Sequence, residues 1–261
     1  AQLCCTNPHV ADIAAETARQ WLKRTPEARM VSVTHNDWNN WCTCSNCAAL
    51  IAKEGAPSAI ALHLANEVAK RLEKEFPDVL IDTFAYGWTQ TPPRHMQAHP
   101  NVLVRICPIG NCFGHPIRTC KHNADCREAV TKWSRISRTI FVWHYVNDFF
   151  HYMSPWPCLP SLEDDIHYYL EHKLKGLFLQ ANGNSNGGDF ADLKAYIWAK
   201  KMWNPALKLN DLRQEFLAGY YGDAADAVEE YCATFEKAFK AAGPDYHLQI
   251  YNQSPWKNTS P

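Results

Sequence analysis

Short apolar runs alternate with amphipathic stretches of helical period along most of the chain. Six runs predict strands: Gln2 to Thr6, Met30 to Thr34, Val79 to Tyr86, Val102 to Cys107, Thr139 to Val146 and Leu174 to Gln180. Several of them are apolar at successive positions, which is typical of parallel strands covered on both faces. The alternation therefore predicts an α/β protein with a parallel sheet and right-handed crossovers.

The stretches between and after these runs have the pattern of surface helices. After Pro57-Ser58, apolar residues recur every four positions from Ile60 to Phe76, and Pro77 ends the stretch. Six further helices are predicted at Ile13 to Leu22, Cys126 to Trp133, Leu162 to Leu170, Asp189 to Trp203, Leu212 to Tyr220 and Ala224 to Ala241. Residues 87–101, with three prolines, predict an irregular connection, and the tail from Gly243, with Pro244, Pro255 and Pro261, predicts a loop.

Six strand–helix units of this length fit either a doubly wound sheet or most of a (β/α)8 barrel. The chain starts inside an apolar run, so the sequence predicts a TIM-barrel-like fold that lacks its first two βα units. Residues 1–205 form the partial, catalytic-type barrel in this interpretation, and residues 206–261 form a C-terminal helical extension and tail. It also predicts that an N-terminal part of the same protein is missing from this chain.

Composition excludes several classes of function. The 26 Lys and Arg nearly balance the 27 Asp and Glu, so the charge pattern of a nucleic-acid binder is absent. No apolar run reaches the length of a membrane span. Aromatic residues make up 12% of the chain, including ten Trp, and suit either a thick core or the stacking of flat ligands such as sugar rings.

Chemistry in parallel α/β folds collects at the carboxyl ends of the strands. The residues after the runs are rich in amides, imidazoles and aromatic rings, which pair with sugar hydroxyls or stack on sugar rings. The predicted sugar-binding residues are Asn7, His35, Asn36, Trp38, Tyr86, Trp88, Arg105, Tyr145 and Gln180. The Arg105 guanidinium could pair with the carboxylate of a uronic acid. No glycine-rich phosphate loop follows any run.

Asp37 is the leading candidate for a catalytic acid. It follows a predicted strand between Trp38 and Trp41, and apolar neighbours favour the protonated form of a carboxyl. The alternative is that Asp37 caps the turn through backbone amides. His144 and Asp148 are candidates for a second group, although a lone His at a strand end is more often a hydrogen-bonded structural residue.

Cysteine spacing predicts a structural metal site. Cys42, Cys44 and Cys47 resemble half of a zinc site, and a second group of ligand types lies at Cys107, Cys112, His115, Cys120, His122 and Cys126. The second loop, with Cys112 and Cys120 as candidates, could supply the fourth ligand. Disulfides and free buried thiols are the alternatives. The sequence predicts no required cofactor, and structural zinc is the metal ion that the cysteine spacing suggests.

The order of these motifs resembles an uncharacterised glycosidase-like family of large bacterial proteins, known as a domain of unknown function and often encoded beside polysaccharide-degradation genes. The likeness rests on residues 3–8, on Asn36-Asp37 with Cys42-x-Cys44-x-x-Cys47, on Tyr86 with Pro92-Pro93, on Cys107, Cys112, His115-Pro116 and Cys120, and on Trp203-Asn204-Pro205 with Tyr220-Tyr221-Gly222. It implies a barrel related to those of α-glucuronidases and β-hexosaminidases. In such barrels the acid follows the fourth strand, the place of Asp37.

One departure from that pattern bears on mechanism. A glycosidase ordinarily uses two carboxylates, but where acids are expected the fifth run has His144 and the sixth ends in Gln180. The leading interpretation is a secreted or periplasmic glycoside hydrolase-like domain acting on a polysaccharide or oligosaccharide. A non-catalytic carbohydrate-binding barrel is the first alternative. A zinc-dependent hydrolase is the second, although cysteine-rich zinc sites tend to be closed and structural.

Overall fold

A computed structural model describes residues 2–252 of the chain, and five strands in them form one sheet. The strands are β1 (Met30–Ser32), β2 (Leu80–Ala85), β3 (Val102–Ile106), β4 (Ile140–Tyr145) and β5 (Leu174–Gln180). Their order in the sheet is their order along the chain. β1 through β4 pair in parallel, with Val31 opposite Ile81 and Val104 opposite Ile140. An α/β protein with parallel strands is confirmed.

The predicted TIM-barrel-like (β/α)8 fold is wrong for the part of the chain that the structure describes. One five-stranded sheet replaces it, because the first apolar run is not a strand and only helices and loops follow β5. Asn7 donates its backbone N–H to the Cys4 carbonyl (3.1 Å), which turns residues 4–7 back on themselves. The apolar character of Leu3-Cys4-Cys5 thus belongs to a turn, where Cys4 joins other cysteines and Cys5 is buried.

Helices connect the strands and follow the last one. They are α1 (Pro8–Arg24), α2 (Ser45–Glu54), α3 (Ser58–Leu72), α4 (Ala124–Ile136), α5 (Leu159–Glu171), α6 (Ala191–Trp203), α7 (Leu209–Tyr221) and α8 (Ala225–Ala242). Each of the seven predicted helices is confirmed. Residues 87–101 are irregular apart from a 3₁₀ turn at Gly87–Thr89, and residues 243–252 are loop, as predicted. Pro255 and Pro261 of the predicted tail lie outside the described residues.

Local chemistry explains where the first helices begin and end. Asn7 caps α1 by accepting the His9 backbone N–H (3.0 Å), and Pro8 takes the first position, where no N–H is needed. The sequence did not predict α2, which has Cys44 at its N-cap and Gly55 at its C-cap. Gly55 has a φ of 73°, a left-handed conformation that favours glycine.

The chain divides into two compact units. Unit 1 comprises residues 1–107, 128–142 and 172–176, and unit 2 comprises residues 108–127, 143–171 and 177–261. Buried apolar side chains of α3, β2 and β3, such as Leu62, Ile81 and Val104, form the core of unit 1. Unit 2 has its own core, which includes Phe113, Trp156 and Leu248. The boundary predicted at residue 205 stays a prediction.

No helix of the described residues combines the length and the apolar character that crossing a bilayer requires.

Candidate functional site

The loop from Val33 to Cys44 carries the leading candidate residues of unit 1. Val33 still donates to the Asp82 carbonyl (2.8 Å), after which the chain leaves the sheet. The Gln2 side chain then holds the loop: its amide donates to the carbonyls of Asn36 (2.6 Å) and Trp38 (2.5 Å) and accepts the Asn36 N–H (2.9 Å). The Asn36-Asp37-Trp38 segment is therefore fixed in backbone position although all three residues are exposed.

Four cysteine sulfurs meet at the end of this loop. Cys4 joins Cys42, Cys44 and Cys47, and all four sulfurs lie within 4.8 Å of one another. Cys4 Sγ lies 3.6 Å from Cys44 Sγ and 3.9 Å from Cys47 Sγ. Tetrahedral zinc with bonds of about 2.3 Å places its thiolates about 3.8 Å apart, so these separations suit a shared metal ion. The structure brings the three predicted ligands together and supplies the fourth from unit 1 itself.

The start of α2 tunes the acidity of two of these thiols. A hydrogen bond from the Cys47 backbone N–H lowers the pKa of Cys44 to about 6, with smaller contributions from neighbouring thiols. Burial raises the pKa of the Cys47 thiol to about 12, while Thr6 opposes the shift. Cys44 is therefore the more acidic of these two thiols, and the thiolate is the form that binds a metal ion.

Aromatic rings pack beside the loop and form what we call the ring cluster: His35, Trp41, Tyr86 and Trp88. The His35 ring stacks on Tyr86 (centroids 6.1 Å apart) and lies 4.7 Å from Trp88, which is 5.5 Å from Trp41. His35 is further held by Thr89, whose Oγ1 lies 3.0 Å from His35 Nε2. Among the described residues, the Trp88 indole nitrogen has no hydrogen-bond partner.

Asp37 and Trp38 lie on the 33–44 loop, and both residues are exposed. Trp38 is 66% exposed, and the Asp37 carboxylate has no hydrogen-bond or ion-pair partner among residues 2–252. The apolar enclosure expected for Asp37 is thus not formed by its own sequence neighbours. The turn-capping alternative is not observed either, since no backbone amide of the described residues donates to this carboxylate. Its catalytic role stays a prediction.

Arg105 forms an ion pair within the sheet of unit 1. Its Nε donates to Asp82 Oδ1 (3.1 Å), and Asp82 also accepts the Ser32 hydroxyl (2.8 Å). Asp82 is 1% exposed; burial raises its pKa, and the Arg105 guanidinium opposes that rise. The guanidinium also lies over the Phe141 ring at 5.6 Å. Asp82 engages the Nε edge of the guanidinium, and a terminal nitrogen donates to Met30 Sδ (3.7 Å), so a contact between Arg105 and a uronic acid stays a prediction.

The predicted second catalytic groups lie in the core of unit 2. His144 is 1% exposed, and burial lowers its pKa to about 3, so the ring is neutral at physiological pH. It contacts Phe113 edge-on (5.0 Å between centroids) and lies 3.3 Å from the Tyr169 hydroxyl. Asp148 is also 1% exposed and accepts the Phe150 N–H (2.9 Å); burial raises its pKa. Of the three predicted catalytic residues, only Asp37 is exposed.

Three predicted sugar-binding residues have structural partners. Asn7 caps α1. Gln180 accepts the Trp143 indole N–H through Oε1 (2.9 Å). Tyr145 is 5% exposed and packs edge-on against Phe113 at 5.7 Å. His35, Asn36, Trp38, Tyr86 and Trp88 are the predicted sugar-binding residues that the structure gathers on and beside the 33–44 loop.

A second set of ligand types meets inside unit 2. Cys112, His115, Cys120 and His247 each bring one ligand atom into a group within 4.8 Å. Cys112 and Cys120 therefore do not complete the Cys42 site, as the sequence had suggested, but belong to a set of their own. Cys107 and Cys126 are separate buried thiols, and burial raises the pKa of each to about 12.

Sequence reasoning missed Cys4 and His247 as candidate ligands. Cys4 was hidden in an apolar run that predicted a strand, and the one available signal was a cysteine beside the polar pair Thr6-Asn7. His247 lies in a tail without helical or strand pattern, 127 residues after Cys120. No sequence signal connects two positions so far apart.

The chain belongs to a family described as a domain of unknown function, DUF4838, which matches residues 1–233. A comparison with curated proteins found no match. The membership extends over the 33–44 loop, both cysteine-containing segments and the helices up to α8.

Proposed function

We propose that this member of the family contacts carbohydrate through the Asn36-Asp37-Trp38 segment and the ring cluster. The observation that carries the proposal is the exposure of Trp38 on a loop whose backbone the Gln2 side chain holds in place. An exposed indole with a fixed backbone offers a flat apolar face to the C–H side of a sugar ring. The exposed Asn36 amide and Asp37 carboxylate offer hydrogen bonds to hydroxyls.

Restraint of the loop is the second element of the proposal. Cys4, Cys42, Cys44 and Cys47 hold a structural zinc ion, which joins the N-terminal segment to the end of the loop. Four protein ligands complete a tetrahedral shell and leave no position for a water nucleophile, which favours a structural metal over a zinc-dependent hydrolase. Ordering the loop before binding lowers the entropy cost of contacting a sugar.

Hydrolysis of a glycosidic bond is the second candidate function. It is favoured by Asp37, whose exposed carboxylate has no partner among the described residues and is free to meet a leaving-group oxygen. In this proposal Asp37 is the general acid of a glycoside hydrolase acting on a polysaccharide or oligosaccharide. A secreted or periplasmic location is part of the same proposal.

Paired variants test binding and hydrolysis separately. Trp38→Ala should abolish binding on a glycan array, whereas Trp21→Ala removes another exposed Trp of unit 1 and should leave binding unchanged. Asp37→Asn should retain binding and lower the release of reducing sugar about 100-fold or more, with the exposed Asp78→Asn as its control. If Trp38→Ala still binds glycan, this surface is not the binding site. If the wild type binds glycan but releases no sugar, the function is carbohydrate recognition and not hydrolysis.

A further inference from the structure

The ligand types gathered in unit 2 come from two segments that are distant in sequence. Residues 108–123 contribute Cys112, His115 and Cys120, and the segment after α8 contributes His247. Cys112 Sγ lies 3.4 Å from His115 Nδ1, and Cys120 Sγ lies 4.0 Å from His247 Nδ1. Zinc bonds of about 2.3 Å to sulfur and about 2.0–2.1 Å to nitrogen give a tetrahedral sulfur–nitrogen separation of about 3.6 Å. The two measured pairs lie on either side of that value.

The backbone that carries these ligands is held by bonds that need no metal ion. The Asn123 side chain accepts the Cys112 N–H (2.8 Å) and donates to the Cys112 carbonyl (2.9 Å). The residues next to two ligands are joined as well, because Phe113 donates its N–H to the Leu248 carbonyl (2.8 Å). The four donors are therefore brought together by the fold of unit 2, as expected of a preorganised site.

Neighbouring side chains pack around the cluster, in which the two cysteines are buried and the two histidines are partly exposed. Cys112 and Cys120 are 1% and 6% exposed, and the cysteines of the described residues are free thiols. The His115 ring packs against Phe239 of α8 (4.7 Å between centroids), and the His247 ring stacks on His122 (4.6 Å). His122 in turn lies within hydrogen-bond distance of the Gly110 carbonyl (2.9 Å). Each candidate imidazole is thus packed against a neighbouring ring.

We propose that Cys112, His115, Cys120 and His247 form a second structural zinc site, independent of the four-cysteine site in unit 1. Two thiolates and two imidazoles are a common ligand set of tetrahedral structural zinc, which takes four ligands and needs no water. The ion would fasten the segment after α8 to residues 108–123. Because the ion would bind the folded arrangement of two segments that lie 127 residues apart, its binding free energy would add to the stability of unit 2.

Zinc content of the full-length chain tests the proposal. After reconstitution with zinc and removal of free metal, mass spectrometry of the elements should find two zinc ions per chain. His247→Ala and Cys44→Ser should each reduce the content to one, and the double variant should reduce it to none. His167→Ala and Cys232→Ser remove a His and a Cys of unit 2 outside the cluster, and both should retain two ions.

A ligand exchange separates loss of a ligand from loss of folding. His247→Cys offers a third thiolate at the same position and should retain two ions, and its cobalt-loaded form should show a stronger thiolate-to-cobalt absorption band than the wild type. Circular dichroism of each variant reports its folding. The proposal is overturned if His247→Ala binds as many ions as the wild type, or if Cys112 and Cys120 of the zinc-treated protein are found in a disulfide. A wild type with one ion that His247→Ala loses would support this site and contradict the four-cysteine site instead.

Discussion

Polar residues follow β1 in unit 1 and end or follow β4 in unit 2, yet the two regions have opposite environments. After β1, Asn36, Asp37 and Trp38 are exposed on a loop whose backbone is held in place. At the end of β4, His144 is buried among Phe113 and Tyr169, and Asp148 is buried three residues beyond the strand. A polar residue at a strand end is therefore a candidate for function only where the fold leaves it open to solvent.

The two regions should respond differently to substitution. Substitutions in the buried positions should change the free energy of unfolding and leave glycan binding alone. Substitutions in the exposed loop should do the reverse. The ion pair of Asp82 on β2 and Arg105 on β3 should give the largest change in stability.

Replacing Arg105 should have the largest effect on stability. Arg105→Met leaves the Asp82 carboxylate buried without its cation, which should lower the free energy of unfolding by about 3–5 kcal/mol in urea titrations. Adding Asp82→Asn should recover much of that loss. The exposed Arg24→Met is the control and should change little. A loss of sugar binding at unchanged stability would instead place Arg105 in the binding surface.

Replacing His144 tests the buried region of unit 2. His144→Ala removes a packed ring and leaves the Tyr169 hydroxyl without this neighbour, so we expect a loss of about 2–4 kcal/mol in the same titration. His167→Ala at an exposed position of unit 2 is the control. Abolished sugar release with full stability would contradict the structural role and favour catalysis.

Replacing Asp148 should change how the free energy of unfolding depends on pH. Burial raises its folded pKa, with Phe150 and His151 opposing, so the folded chain keeps the proton while the unfolded chain releases it above about pH 3.9. Stability contributed by this group therefore falls as pH rises through that window. Asp148→Asn keeps an acceptor for the Phe150 N–H and should raise the urea midpoint at pH 7, with the difference vanishing near pH 4. A lower midpoint at pH 7 would contradict this sign.

The smallest change in stability is expected at the exposed loop. Asp37→Asn and Trp38→Ala remove side chains without buried contacts, so each should alter the free energy of unfolding by no more than about 0.5 kcal/mol. Urea titration of both variants, carried out together with the glycan-binding and sugar-release assays, measures this change. A destabilisation of several kcal/mol would show that the loop is part of the core and would remove the contrast between the two regions.

Much of the local structure was predictable from the pattern of side chains. Five of the six predicted strands and all seven predicted helices are present, because continuous apolar runs mark strands buried on both faces and a period of 3.6 residues marks amphipathic helices. The first run misled because Leu3-Cys4-Cys5 is apolar for another reason: Cys4 faces three other thiols. α2 was missed because its N-terminus lies inside the Cys42-x-Cys44-x-x-Cys47 motif, where a Cys takes the place of the usual cap residue.

The candidate site was predictable only where its members are close in sequence. Asn36-Asp37-Trp38 and Cys42-x-Cys44-x-x-Cys47 lie within 12 residues of each other, so spacing alone predicted a polar loop ending in metal ligands. Cys4 and His247 could not be assigned this way. Neither has a local pattern that distinguishes a ligand from a buried thiol or an ordinary tail histidine.

By itself the sequence determined the α/β class, the helices and the cysteine motif, since each depends on residues a few positions apart. Tertiary structure decided that the strands form one five-stranded sheet rather than a (β/α)8 barrel. It also decided that two ligand sets exist rather than one, and that Asp37 is exposed whereas His144 and Asp148 are buried. These outcomes depend on which distant segments pack together, and burial and the closure of a ligand shell are properties of that packing.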